Sequence, residues 1–407
     1  MHRNQRRTRI ATSVALALAA TLPAAAMAQS QPKAELSIDV ATHNMPGMPG
    51  MGGLFGRLAG KQRASYGMTR FPGMPGQYLD IALDNRVQPA TPAAQAVPEG
   101  LKVGKRIDLL PPDRPVEGPN DGGTIGGADF GDGGDGKFRI LYYWGCGAEA
   151  GKGQPREFTV ELRDGVPQMQ GSMVEPRKVA DRSIPAERPY VLWPNPKAKK
   201  TVADGSSLVG DHQVTGPGVP DNMRFALQQQ HDFLPRLAVD MGEGEAPMVS
   251  WEGVDGARAY FLHGMSFSAD KAIVMWSSAS DAYAGPELMD YLDNGQIDRW
   301  TKSGTLLPAG ARNCQVPRQV MAATGNAPML QMIAYGGDSV LAEPRPADAS
   351  RDWTPDWTVR VRSKSTAMVM SGMPGMAAPD AGEMAKDAAE DTAKETAKSL
   401  LKGLFGN

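Results

Sequence analysis

Apolar and polar positions alternate in short runs along most of this chain, and clusters of Gly, Pro and Asp separate the runs. In AELSIDVAT, Leu36, Ile38 and Val40 alternate with polar neighbours, the period-2 pattern of a half-buried strand. QYLDIALDN places Tyr78, Ile81 and Leu83 on a second strand, and LKVGKRIDLL reads as a third. KFRILYYWGCG is the strongest strand pattern in the chain, followed by REFTVELRDG. Further along, PMVSWEGVDGARAYFLHGM gives two alternating runs around a Gly turn, and ADKAIVMWSSAS gives another. PMLQMIAYGG, DSVLAEP and DWTVRVRSKSTAMVM close the series. Strands joined by turns, with no helical period between them, predict antiparallel sandwiches.

Two segments depart from this alternation. PELMDYLDNGQIDRWTKSG predicts a helical insertion, with Pro286 in the first turn and Leu288, Met289, Leu292 and Ile297 near helical spacing. EMAKDAAEDTAKETAKSLLKGLFGN predicts a charged helix with Ala385, Ala389, Ala393, Ala397 and Leu401 along one face. An alanine face buries little area, so this helix is marginal alone.

The connecting segments are of three kinds. Residues 43–76 are rich in Met, Pro and Gly and read as a long loop. VQPATPAAQAVPEG reads as an Ala/Pro linker, and residues 111–136 as a second long loop. Residues 164–235 carry many prolines and only short apolar runs.

The first residues change the picture of where the chain works. Arg3, Arg6, Arg7 and Arg9 precede the apolar run Ile10 to Leu22, and Ala26-Met27-Ala28 supplies a small-x-small cleavage site. Basic, apolar and small regions in that order predict a secretory signal peptide over 1–28, cleaved after Ala28. The expected organisation is then an N-terminal β domain over 29–235, a second β domain over 236–370, and a linker with the helix over 371–407. The expected location is periplasmic or secreted.

Composition supports short strands and many turns. Gly 47 and Pro 33 make about a fifth of the chain, against a usual share of roughly 12%. Losing the four signal arginines takes the formal net charge from −2 to −6, a mild solubilising value. That charge argues against nucleic acid as a partner. No segment after the signal has the roughly 18 continuous apolar residues of a membrane span, so any membrane contact is expected to be peripheral, through the C-terminal helix. Two cysteines, Cys146 and Cys314, are expected to pair in an oxidising compartment, the other reading being two buried thiols in different domains.

Met45, Met48, Met51, Met373 and Met376, with Met74, form the sharpest chemical pattern. Thioethers at three-residue spacing suit Cu(I), so copper is the alternative to having no cofactor. The plainer reading is an adaptable apolar surface, which ranks higher because only His43 lies beside these residues. Asp129, Asp132 and Asp135 lack the spacing and distal Glu of a calcium loop and read as a solvated turn. GCGAEAGKGQP fails as a phosphate loop, with Cys146 where the first Gly belongs and Gly153 where Ser or Thr would hold magnesium. GMSFS approaches a nucleophile elbow but ends in Ser268. His212, His231 and His263 are isolated, and Asp211-His212 and His231-Asp232 would need the fold to bring them together. Trp144, Trp251 and Trp276 lie on strand patterns and are expected to fill cores.

VSWEGVDGARAYFLHG resembles the opening strands of a fibronectin type III or related immunoglobulin-like sandwich. The resemblance implies a buried Trp251, Ala257 at the turn and Tyr260 beginning the next strand. The chain as a whole also resembles a group of uncharacterised secreted proteins of proteobacteria, through YYWGCG and GQP, the Trp251 segment, IVMWSS and the Met-Gly loops. That likeness implies location and fold alone. The expected fold is mainly β, two antiparallel sandwiches of the immunoglobulin/fibronectin kind with a short helical insertion and a C-terminal amphipathic helix. The expected role is non-enzymatic, a structural or interaction module of the cell envelope with an envelope protein or surface as partner. A Met-motif copper-binding protein is the alternative. An envelope hydrolase ranks last, for want of a nucleophile–base set.

Overall fold

Period-2 alternation lets a strand bury one face, and the long sheet of this protein uses both of its faces. The computed structural model describes residues 31–45, 65–70, 75–113, 137–163, 166–171, 177, 179, 189–198, 200–270, 272–282, 285–325 and 328–370. The strands are β1 (Ala34–Asn44), β2 (Gly76–Asn85), β3 (Ala93–Ala96), β4 (Arg106–Leu109), β5 (Lys137–Trp144) and β6 (Arg156–Arg163). There follow β7 (Val166–Gly171), β8 (Val191–Trp193), β9 (Gly210–Thr215), β10 (Arg224–Leu227), β11 (Val239–Met241) and β12 (Met248–Trp251). The last are β13 (Ala259–Phe267), β14 (Ile273–Ser277), β15 (Leu307–Pro308), β16 (Asn313–Gln315), β17 (Met329–Ala342) and β18 (Trp357–Met370). Two α-helices are described, α1 (Asn294–Ser303) and α2 (Arg318–Ala323).

One 11-stranded sheet runs β7-β6-β5-β14-β13-β17-β18-β1-β2-β8, with β15 added beside β13. It is mixed rather than antiparallel, because β1 pairs with β18, and β5 with β14, in parallel. β1 and β18 come from opposite ends of the chain, so no short connection dictates their direction. The expected boundary at 235/236 falls inside this sheet: β1 and β2 lie on one side of it in sequence, β17 and β18 on the other. Sheet pairing therefore joins the segments that the sequence reading assigns to separate sandwiches.

Two small sheets cover one face of the large one. The order β10-β9-β3-β4 packs Ile107, Leu109, Val214 and Phe225 against Leu36, Ile38, Ile81 and Val359. The order β11-β12-β16, with α2, packs Val249, Trp251, Val316 and Met321 against Tyr260, Leu262, Trp276 and Leu330. On the opposite face, Leu288, Leu292, Ile297 and Trp300 cover Phe261, Ile333 and Tyr335.

Several local expectations are revised. The Ala/Pro linker contains β3, whose Gln95 is fully buried and bonds the His212 ring at 3.0 Å. β12 and β13 flank the turn at Val254–Ala257 as expected but belong to different sheets, with the Trp251 and Tyr260 rings 5.5 Å apart. The helical insertion is broken: a 3-10 turn over Pro286–Met289 precedes α1, which starts only at Asn294. Asp293 caps it, accepting from the Gln296 amide at 2.7 Å, and Gly304 ends it at φ 80°. Between the two, Asp290 and Tyr291 turn toward the large sheet. The two strand patterns over 328–344 fuse into β17 across a bulge, where a Cβ on Gly336 would lie 2.1 Å from the Ser363 hydroxyl. The segments expected to form a signal peptide and a C-terminal helix lie outside the described residues.

Cys146 and Cys314 form a disulfide, with Cα atoms 5.0 Å apart. It ties the loop after β5, in the large sheet, to β16 in a small one. Backbone bonds from Gly147 to the Gln315 carbonyl at 2.9 Å and from Arg318 to the Ala148 carbonyl at 3.0 Å reinforce the junction.

Candidate functional site

Alternation on β18 sends Arg360, Arg362 and Lys364 to one face of the sheet, opposite the core occupied by Val359 and Val361. Register places Asp39 of β1 between Arg362 on one side and Asp80 of β2 on the other. Arg362 grips Asp39 with two hydrogen bonds, 2.7 Å from Nε and 2.6 Å from the terminal nitrogen, and both side chains are 6% exposed. Lys364, fully buried, reaches the Met289 carbonyl and Asp290, each at 3.3 Å. Arg70 approaches Asp290 at 3.3 Å and Asp39 at 4.0 Å. The Tyr291 ring lies 4.8 Å from the Arg362 guanidinium and 4.4 Å from the Lys364 ammonium, and its hydroxyl donates to the Val40 carbonyl at 2.9 Å. Asp39 and Asp290 thus meet Arg362, Lys364 and Arg70 inside one layer.

The electrostatics follow from burial and pairing. Burial works against the Arg362 charge, but Asp39 more than offsets it and raises its pKa. Burial also opposes ionisation of Asp290, yet Lys364, Arg70 and Arg362 together hold its carboxyl below the ordinary value. Among the described residues no cation pairs with Asp80. Burial, with Asp39 opposite, pushes its carboxyl up to about 7 despite hydrogen bonds from the Thr69 amide and hydroxyl at 3.2 and 2.5 Å. His43 sits two residues beyond Ala41 on the same face, bonded to the Thr366 hydroxyl at 2.7 Å and the Met68 carbonyl at 3.3 Å. Burial and the nearby Lys364 lower its pKa to about 3, so the ring stays neutral.

A separate open cleft of about 730 Å³ lies where β1 and β2 meet the 229–236 and 255–256 segments. Phe233, Leu234 and Pro235 give it an apolar side; Gln77, Gln229 and Gln230 give it neutral polar groups. Arg236 and Asp204 pair at its rim at 2.5 Å. Gln77 is tied to the Ser206 backbone, and Thr42 to the Leu234 carbonyl at 2.7 Å. The Gln77 and Thr42 side chains are thus committed to the walls of the cleft.

The residues singled out from the sequence fall at several places among the described residues, and some lie outside them. Met45 directly follows β1, while Met48, Met51, Met74, Met373 and Met376 lie outside the described residues, as do Asp129, Asp132 and Asp135. Among the described residues no cluster of three or more His, Cys, Asp or Glu forms a metal-binding group. His212 stacks on Phe225 with ring centres 5.2 Å apart, and its nitrogens go to Gln95 and the Leu208 carbonyl. His231 accepts from the Gln228 amide, and Asp232 holds the Ser207 hydroxyl at 2.6 Å and the Leu208 amide at 2.8 Å. His212, His231 and Asp232 thus serve contacts within the small sheet and its loops. GMSFS is the end of β13: Gly264 is small because a Cβ there would meet Leu330 at 2.7 Å. GCGAEAGKGQP leads from β5 into β6, and Gln154 closes it by bonding both the amide and carbonyl of Trp144 at 2.9 Å. Trp251 and Trp276 fill the core as expected, 5% and 1% exposed.

The charged layer was missed by the sequence reading. Its signal was present in WTVRVRSKS, where basic residues alternate as strictly as apolar ones, and in Asp39 between Ile38 and Val40. Comparison of the whole chain with protein-family models, curated proteins and solved structures finds no match.

Proposed function

We propose that this protein is exported and works without catalysis, as a structural or interaction module of the cell envelope. The sheet-on-sheet packing is read as immunoglobulin- or fibronectin-like, and the segment over 371–407 as a peripheral contact. The observation that carries the reading is the cleft beside Gln77, Gln230 and Arg236. Its apolar side and wall-bound polar groups offer a preformed surface to an envelope partner. A photo-crosslinking residue at Gln230 in cells tests it. A discrete crosslinked species, lost on Phe233→Asp and absent with the crosslinker at exposed Lys302, is expected. Absence of any such species, together with turnover in a broad hydrolase screen, would overturn the reading.

One observation favours copper binding as a second reading. Asn44 of β1 lies opposite Ala367 of β18 in a parallel pair, so the chain enters both Met-Pro-Gly segments from the same end of neighbouring strands. Met45, Met48, Met51, Met373 and Met376 would then supply thioethers from two directions. Copper content after purification from copper-supplemented cells tests this, and metal-free protein would dismiss it.

A further inference from the structure

A row of methionines crosses the large sheet at the end where its helical cover stops. The register sets Met275 of β14 opposite Met265 of β13, and Met265 opposite Met329 of β17. Directly opposed residues of antiparallel strands share a face, so all three side chains leave the sheet on one side. That side is the one on which α1 and the 3-10 turn cover Phe261 and Ile333. Among the described residues that cover reaches no further than His263, which is 4% exposed, and Met265 is already 39% exposed. Across the row Met275 is 4% exposed, Met265 on the central strand 39%, and Met329 half-buried. Met332 belongs to the opposite face, in the core beneath β12, and takes no part.

Core packing accounts for Met275, which contacts Ile140, Tyr142 and Ile273. It does not account for Met265, whose neighbour Phe267 is 66% exposed. Adjacent strands lie about 4.7–4.9 Å apart, so three neighbours span about 10 Å at the backbone. The unbranched thioether side chain has three rotatable bonds and can draw its sulfur toward the central strand. Three soft neutral sulfurs carried by neighbouring strands on one face, with Met265 reachable from solvent, match the preference of a soft monovalent ion.

We propose that Met265, Met275 and Met329 form a three-thioether site for Cu(I). None of the three residues belongs to the Met-Pro-Gly segments, so substitutions can tell the two proposals apart. The full chain is titrated anaerobically with Cu(I), added as its acetonitrile complex, against a chromophoric Cu(I) chelator. One ion is expected to bind, and Met265→Leu with Met329→Leu should weaken that binding at least tenfold. Leu at Met45, Met48, Met51, Met373 and Met376 together should leave this binding in place. Leucine keeps the apolar bulk, so the variants retain the fold. Silver(I), added to parent protein labelled at the methionine methyls, gives a readout that needs no variant: the Met265, Met275 and Met329 methyl signals should shift together. Binding that survives the Met265/Met329 pair, binding lost only with the loop replacements, or methyl signals unmoved by silver would each overturn the proposal.

Discussion

Asp39 and Arg362 stand 323 residues apart in sequence and face each other across a parallel strand pair, joined by two hydrogen bonds of 2.7 and 2.6 Å. Removing one partner leaves a buried charge uncompensated, which costs about 3–5 kcal/mol. Arg362→Ala should lower stability by that amount in urea denaturation. Asp39→Leu with Arg362→Met should recover most of the loss, since neither charge then remains. The exposed pair Lys33–Asp356, at 2.8 Å, should tolerate Lys33→Ala without a change in midpoint. Equal effects of the buried and exposed single variants would show that the buried pair is not a strut.

Asp80 makes stability depend on pH from the alkaline side. Its folded pKa of about 7 lies above the unfolded value near 4, so the folded state holds the proton more tightly. The stability this contributes is complete below about pH 4 and is lost as pH rises through 7. Asp80→Asn mimics the protonated form and keeps an acceptor for Thr69. The variant should therefore gain Tm over the parent between pH 5 and pH 8. A constant Tm difference across that range would refute it.

His43 acts in the opposite sense. It stays neutral in the fold down to about pH 3, whereas the unfolded chain takes up the proton near 6.5. Its contribution is present above 6.5 and is lost as pH falls toward 3. His43→Gln should flatten the loss of stability between pH 6 and pH 4, and parent and variant curves of the same slope there would contradict this.

The Cys146–Cys314 bridge spans 168 residues of sequence. A loop of that size gives a chain-entropy stabilisation on the order of 5 kcal/mol. Denatured, unreduced protein should show no free thiol, and reduction should lower the urea midpoint. Two titratable thiols would end the assignment.

Gly264 is held small by the Leu330 side chain packed over it. Gly264→Ala should destabilise by about 1–3 kcal/mol, because the added methyl lies 2.7 Å from the Leu330 side chain. A neutral effect on thermal unfolding would mean that Leu330 moves aside freely.

Legibility varied with the strength of the local pattern. β1, β2, β5, β6, β13, β14 and β18 follow runs whose alternation is visible over several residues. β3 was hidden, because AAQA has no apolar contrast and becomes a strand only through β4 and β9. The helical insertion was legible as helix but not its break at Asp290 and Tyr291, since those side chains answer to Lys364 and Val40 far along the chain. The charged face was half legible: WTVRVRSKS announces a basic side, but not which carboxylates meet it.

Local alternation and turn residues therefore determined, from the sequence alone, that the protein is mainly β, where most long strands run, and which residues form their apolar faces. The presence of only two cysteines made their pairing legible as well. Tertiary structure alone decided that β1 lies parallel to β18, that the two halves share one sheet, and that Asp39, Asp80, Asp290, Arg70, Arg362 and Lys364 converge. The reason is physical. Periodicity is set by neighbours a few residues away, whereas register and charge pairing depend on strands brought together only when the chain closes on itself.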